Sequence, residues 1–238
     1  MSRRLKTSRA RIGWFRRDPF AGPGTWLRRL VRIAMLLVLL AIVVPPALVL
    51  LYRDYAPPGT LLMIVRLFEG EGIRKEWVPL ERVSRHVPRA VIALEDNLFC
   101  RHDGFDWAAI FDAAADRLRG ADTTRGGSTI SQQAAKNVFL WPGRTFTRKA
   151  FEVPFTWLME WVWGKRRIME VYLNVVEWGP GIYGVEAAAQ HYFGRPASRL
   201  TRRQAALLAA ILPNPRRWSA SRPTSYIGTR ATCLLYTS

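Results

Sequence analysis

The spacing of apolar residues changes character along this chain. Residues 33–52, "IAMLLVLLAIVVPPALVLLY", carry no charged side chain. About 20 residues rising 1.5 Å each cover the roughly 30 Å of a bilayer's hydrocarbon core. A secretory signal has a shorter apolar run and a small-residue cleavage site, so 33–52 predicts an uncleaved transmembrane helix. Pro45 and Pro46 should kink it or end its regular part. A Pro-rich linker, "RDYAPPGT" (53–60), follows. From 61 to 83 no strong helical period shows, and the apolar residues before "EGEG" suggest a short extended piece.

From Pro88 onward the pattern turns helical. Trp107, Ile110, Phe111, Ala114 and Leu118 fall on one stripe that stops at Gly120. Thr129 with Gln132, and Thr201 with Gln204, have capping-box spacing; the second run ends at Pro213. Residues 184–194 form another helical run bounded by glycines. Residues 153–163, "VPFTWLMEWVW", read as a core helix, with a lipid-facing surface as the alternative, and 137–144, "NVFLWPGR", exposes an apolar cluster beside a Pro-Gly turn. No strand alternation of any length and no internal repeat occurs, so the fold class is mainly α.

Composition changes this picture in one respect. The chain of 238 residues has a net charge of +18, but ten of its 36 Lys and Arg lie in residues 1–32 against one acid, Asp18. The remainder holds 26 basic and 17 acidic residues, so half the excess belongs to a tail ahead of the apolar run. By the positive-inside rule that tail stays cytoplasmic and everything after about residue 53 is exported. Cys100 and Cys233 make no disulfide framework, although an exported compartment permits one bond between them, and two cysteines alone cannot build a structural zinc site.

Three stretches concentrate chemistry. In "ALEDNLFCRHDGFD" (93–106), Glu95 follows an apolar run that would half-bury it, raising its pKa toward the range useful for a general base; a solvated carboxylate at a helix end is the plain alternative. A metal would need Glu95, His102 and Asp106 to converge, and their spacing fits no common ligand pattern, so His102 reads as a structural histidine. "RGGSTISQQAAKN" (125–137) sets Ser128, Gln132, Gln133, Lys136 and Asn137 around a Gly-rich helix start, which suits an anion but is no P-loop. In "RTFTRKAFE" (144–152), Arg148 and Lys149 lie four and three residues before Glu152, either as a surface ion pair or as the rim of a site.

Taken in order, these stretches resemble the peptidoglycan glycosyltransferases. The pattern comprises E-D-x-x-F-x-x-H-x-G (Glu95, Asp96, Phe99, His102, Gly104), G-G-S-T-I-[ST]-Q-Q-x-x-K-N (Gly126 to Asn137) and R-K-x-x-E (Arg148, Lys149, Glu152). It continues through K-x-x-I-x-E-x-Y-L-N (Lys165, Ile168, Glu170, Tyr172, Leu173, Asn174) and residues 179–194. With no S-x-x-K and no K-T-G for a transpeptidase, the likeness is to the monofunctional, membrane-anchored kind.

That resemblance implies a lysozyme-like, two-lobed helical domain after one transmembrane helix. The expected division is a basic tail 1–32, an anchor 33–52, a linker 53–60, the glycosyltransferase domain 61–220 and an atypical tail 221–238. The tail reads "IGTRATCLLYTS" where an Arg-rich helix is expected, as if truncated or foreign. The implied reaction joins lipid II to a lipid-pyrophosphate-linked glycan with inversion. Glu95, Lys149 and Glu152 take the catalytic positions, and Asp96, Ser128, Gln132, Gln133, Lys136, Asn137, Arg144 and Arg148 form the substrate-binding shell. No cofactor is required, though a divalent cation (Mg2+ or Mn2+) could sit at the pyrophosphate, with Glu152 holding it or Lys149. The implied partners are lipid II, nascent glycan, the membrane and other cell-wall synthesis proteins, at a bacterial inner membrane with the catalytic domain periplasmic. Two other readings are a glycan-cleaving enzyme on the same fold, which would not need so cationic a site, and a basic scaffold or nucleic-acid binder, whose charge lies mainly in the tail.

Overall fold

The computed structural model describes residues 24–120, 127–143 and 145–237. The chain divides between Val44 and Pro45 into two units. Helix α1 (Gly24–Asp54) supplies the described part of the first and enters the second. Among the described residues, α1 is the one helix long and apolar enough to cross a membrane, and its leucines and valines up to Val44 are exposed, unlike those of a soluble core helix. Of the two outcomes expected at Pro45 and Pro46, a kink or an end, the helix does not end there but continues to Asp54.

The second unit begins by fastening the last turns of α1. Val49 is fully buried and its carbonyl accepts from Trp163 Nε1 at 2.6 Å. Arg167 donates to the carbonyls of Tyr52 (2.9 Å) and Tyr55 (2.7 Å), satisfying acceptors that a helix end leaves open. Helix α2 (Leu61–Phe68) stands where an extended piece was expected. Thr60 caps it through a bond from Met63 N, and two turns with one buried residue are too short to display a period. Strand β1 (Arg74–Lys75) comes after the glycines.

Helices α3 (His86–Glu95), α4 (Trp107–Leu118), α5 (Ile130–Phe139) and α6 (Phe146–Val175) follow. Then come β2 (Glu177–Gly179), β3 (Ile182–Tyr183), α7 (Val185–Phe193), α8 (Arg202–Ile211) and α9 (Ser225–Thr237). The sheet order is β1-β3-β2, with β1 parallel and β2 antiparallel to β3. Strands of two or three residues cannot show alternation, which is why none was predicted. Gly181 makes the β2–β3 turn at φ +69°, and a Cβ there would lie 2.3 Å from Glu71 O.

The core has two centres. The most extensive packing is α5 on α6, and α8, buried from Ala205 to Ile211, is flanked by α3 and α9. Both predicted capping boxes are present, at Thr129–Gln132 and Thr201–Gln204. The segment read as an atypical tail is helix α9, and Ile227, Ala231 and Leu234 bury into the core. Cys100 and Cys233 are exposed and are not joined in a disulfide.

Apolar runs divide by face. In 153–163, Thr156, Met159 and Trp163 are buried while Trp157 and Trp161 are 63 % and 78 % exposed, so the run is half core and half surface. The stripe on α4 is an outer face, with Trp107, Phe111 and Leu118 exposed. Conversely, Leu140 is buried and Phe139 stacks on Tyr52 and Phe155, so the cluster of 137–144 is largely interior rather than exposed. Helix α6 is broken at Gly164 (φ 69°, ψ 167°).

Candidate active site

Two adjacent acids at the end of α3 have opposite surroundings. Asp96 is buried, and its Oδ2 accepts from the backbone N–H of Ile130 at 2.9 Å. Its Oδ1 lies 2.9 Å from His102 Nε2. The Gly104 N–H donates to His102 Nδ1 at 3.1 Å, so that nitrogen is an acceptor and Nε2 carries the proton given to Asp96. Thr129 Oγ1 donates to Gly104 O at 2.6 Å and also caps α5. Asp96, His102, Gly104 and Thr129 therefore clamp the end of α3 to the start of α5. Gln132 belongs to the same clamp, its Oε1 accepting from Thr129 N at 3.0 Å. In this structure the Asp96 carboxylate and the Gln132 side-chain oxygen are engaged by these scaffold hydrogen bonds.

Glu95 faces the other way. Its Oε2 accepts from Gln133 Nε2 at 3.1 Å, and the Gln133 carbonyl in turn accepts from Tyr172 O–H at 3.2 Å. The ionised carboxylate can only accept, so it selects the NH2 end of the Gln133 amide and leaves the carbonyl to Tyr172. Arg230 Nη2, from α9, lies 3.9 Å from Glu95 Oε1. Burial pushes the Glu95 carboxyl above its ordinary range; Gln133, Arg230 and Lys136 pull it back and Asp96 pushes it further up, leaving it raised. A carboxyl held in this state is poised to take a proton.

The cations gather on α5 and at the start of α6. Thr145 caps α6, its hydroxyl accepting from Arg148 N at 3.3 Å. One turn on, buried Glu152 pairs with Arg148 through Oε1 and with Lys149 Nζ through Oε2 at 2.7 Å. Lys149 Nζ also donates to Ser128 Oγ at 3.0 Å, yet its side chain remains 44 % exposed, making it the accessible cation of the group. Arg148 Nε is buried without a hydrogen-bond partner. Burial lowers the Lys136 pKa, Glu152 and Glu95 raise it, and Arg148 and Lys149 lower it, so this lysine feels both carboxylates. Asn137, the next residue of α5, is buried.

The amino-acid sequence matches the Transglycosylase family over residues 63–238. The chain belongs to this family, and is a glycosyltransferase. A biosynthetic peptidoglycan transglycosylase of Rhodospirillum centenum is 53 % identical over 206 residues, covering 86 % of this chain and 87 % of that one. Proteins of the same name from Caulobacter vibrioides (51 % over 208 residues, 87 % and 90 % covered) and Ectopseudomonas mendocina (50 % over 211 residues, 86 % and 87 %) are similarly close.

In this transglycosylase the expected residues do not all converge. Glu95, Gln133, Lys136, Arg148, Lys149, Glu152 and Ser128 form two linked charged groups. Arg144 lies outside the described residues. Lys165 and Glu170, from the fourth motif, are scaffold: Lys165 pairs with Glu160, and Glu170 accepts from Leu80 N. Asn174 of that motif holds both backbone groups of Val78. Two contributors were missed. Tyr172 was legible only as part of the motif, and Arg230 had no signal because its segment read as a foreign tail.

Among the described residues no three His, Cys, Asp or Glu side chains come together. Glu152 gives one oxygen to Arg148 and the other to Lys149.

Proposed function

We propose that this transglycosylase polymerises lipid II into glycan strands at the outer face of the bacterial inner membrane. The observation that carries this reading is a raised, largely buried carboxylate, Glu95, within electrostatic reach of Lys136, which also feels Arg148, Lys149 and Glu152. A base beside a cationic cluster suits one reaction well: attack by a sugar hydroxyl on an anomeric carbon that bears a pyrophosphate.

In the proposed step the 4-hydroxyl of lipid II attacks the α-linked anomeric carbon of the growing chain. Glu95 takes the hydroxyl proton as the new C–O bond forms. The bond to the lipid pyrophosphate breaks from the opposite face, and the product is β-linked. Lys149, with Arg148 and Lys136 behind it, meets the charge that develops on the leaving group, as fixed cations do in a water-poor site. Glu152 holds Arg148 and Lys149 in place. Pyrophosphate leaves readily, so no protonating acid is required. Asn137, Ser128 and Arg144 complete the proposed binding shell.

The topology follows from charge. Ten basic residues ahead of the apolar run 33–52 keep the N-terminus cytoplasmic and put the catalytic unit on the periplasmic side. The exposed aromatics Trp157 and Trp161 on α6, with Trp107 and Phe111 on α4, favour contact with the interfacial region of the bilayer, where lipid-linked substrate resides. Partners from the cell-wall synthesis machinery are compatible with this placement.

The test uses full-length protein in detergent with labelled lipid II, beside Glu95→Gln. Polymer from the parent and none from the variant supports both activity and base. Polymer from the variant at the parental rate removes Glu95 from its role, and muropeptides released from purified sacculi would point to a cleaving enzyme.

A further inference from the structure

We infer that Arg230, on the C-terminal helix α9, is a positioning residue for the catalytic base, holding the Glu95 carboxylate in the orientation that receives the acceptor's proton. The inference rests on the polymerase reading above and adds to it a residue outside the motifs quoted in the sequence analysis.

The geometry is specific. Glu95 ends α3, and its two carboxylate oxygens are addressed by different elements. Oε2 accepts from Gln133 on α5, and Oε1 faces the Arg230 guanidinium at 3.9 Å. With both oxygens addressed, rotation of the carboxylate about its terminal torsion separates it from one partner or the other. Arg230 is itself held by its helix: Ile227, Ala231 and Leu234 are buried, and α9 packs on α8 and α3. Its Nε is buried without a hydrogen-bond partner, so no scaffold carbonyl competes at that nitrogen for the group. An arginine that served only to fasten α9 would spend its donors on the scaffold, as Arg167 does on the carbonyls of Tyr52 and Tyr55.

The charge surroundings give the role a direction. The groups facing Glu95 are Asp96 beside it, Gln133 and Lys136 on α5, Tyr172 on α6 and Arg230 on α9. Burial works against the ionised carboxylate, and Arg230 and Lys136 are the two cations that oppose it. Lys136 is shared with Glu152, whereas Arg230 has Glu95 as its one salt-bridge partner among the described residues. Removing Arg230 therefore makes the base harder to ionise, and the loss must be greatest at low pH.

The experiment follows initial rates of labelled lipid II polymerisation by the full chain between pH 5.5 and 9 for the parent, Arg230→Gln and Arg230→Lys. The acid limb of kcat/KM should move to higher pH in Arg230→Gln. The loss near pH 6 should exceed the loss near pH 8.5 by roughly two- to five-fold, the scale of a partly exposed ion pair. Arg230→Lys should recover most of the difference, with the melting temperature of both variants near that of the parent. A uniform loss with KM raised would make Arg230 a substrate contact and overturn the inference. A loss that tracks a lowered melting temperature and is not rescued by lysine would overturn it too. An independent readout is the pH midpoint of Glu95 labelling by a carbodiimide, scored by mass spectrometry. That midpoint should rise in Arg230→Gln whether or not polymer forms, so a risen midpoint without polymer from the parent refutes the polymerase reading while the pairing stands. An unmoved midpoint refutes the pairing.

Discussion

Replacing Asp96 tests a scaffold role one residue away from the proposed base. Asp96→Ala removes the acceptor for two buried donors, the Ile130 N–H and the His102 Nε2–H. A hydrogen bond to a charged group contributes about 1.5–3 kcal/mol, so the two together come to about 3–5 kcal/mol when some water enters the site. Native stability is commonly only about 5–15 kcal/mol, which makes this a large fraction. At roughly 2–4 °C per kcal/mol for a chain of this size, the melting temperature should fall by about 6–20 °C. Asp96→Asn is instructive because its amide cannot serve both donors. One orientation sets NH2 against His102 Nε2–H and the other sets it against Ile130 N–H. Moving the histidine proton to Nδ1 would bring it against the Gly104 N–H. Asn should therefore also destabilise, by about 1–3 kcal/mol. Tryptophan fluorescence melts of detergent-solubilised protein report the stability, and lipid II turnover well below the melting point reports the chemistry. A melting temperature unchanged within about 2 °C, together with collapse of turnover, would refute the scaffold assignment and return Asp96 to the reaction.

Further outcomes follow from the same structure. Glu95→Gln should abolish polymerisation yet leave the fold as stable or more so at pH 7–8. A carboxyl whose pKa is raised on folding favours the native state below its unfolded value and loses that contribution as pH rises through the folded one, so the variant's advantage should shrink in acid melts. Glu152→Gln should lower kcat at least ten-fold through displacement of Arg148 and Lys149, and a variant with parental kcat would show that the pair needs no anchor. Gly181→Ala should cost more than about 1–2 kcal/mol in denaturant titration, since its Cβ meets Glu71 O and its φ is left-handed; a neutral effect would refute the tight turn. Trp157→Glu with Trp161→Glu should slow turnover of vesicle-borne lipid II several-fold without a matching loss in detergent, and equal rates in both would exclude membrane contact by that face.

What could be read in advance had strong local periods or local chemistry. The capping boxes at Thr129 and Thr201, the helix between Gly184 and Gly194 and the apolar α1 each announce themselves within about a dozen residues. Helix α2 did not, because two turns give no period, and the sheet did not, because Arg74–Lys75 and Ile182–Tyr183 are too short to alternate. Periodicity on α4 located the helix but not which way its stripe faces: Trp107, Phe111 and Leu118 turn outward. At the site, residue type was a poor guide to role. Glu95 and Asp96 are neighbours of like chemistry, and only tertiary placement assigns one to Gln133 and the other to Ile130 and His102. Gln132 and Gln133 divide in the same way, the first capping its own helix and the second reaching the base. Arg230 depends on how α9 docks, which no local pattern encodes.

The break at Gly164 gives α6 two mechanical lives. A helical hydrogen-bond ladder opens cooperatively only as far as it is continuous, and here it is interrupted after Trp163. The leading half carries Arg148, Lys149 and Glu152 and turns Trp157 and Trp161 outward, whereas the trailing half buries Ile168, Met169, Val171, Tyr172 and Leu173. Fraying of the first half can stop at the glycine, leaving the second closed around Tyr172. In amide exchange the charged half should therefore report low local protection and the interior half close to the global limit. On the proposed mechanism, such a helix loosens the Arg148–Lys149–Glu152 cluster and reseats it between additions, while Tyr172, which reaches Glu95 through Gln133, stays where it was.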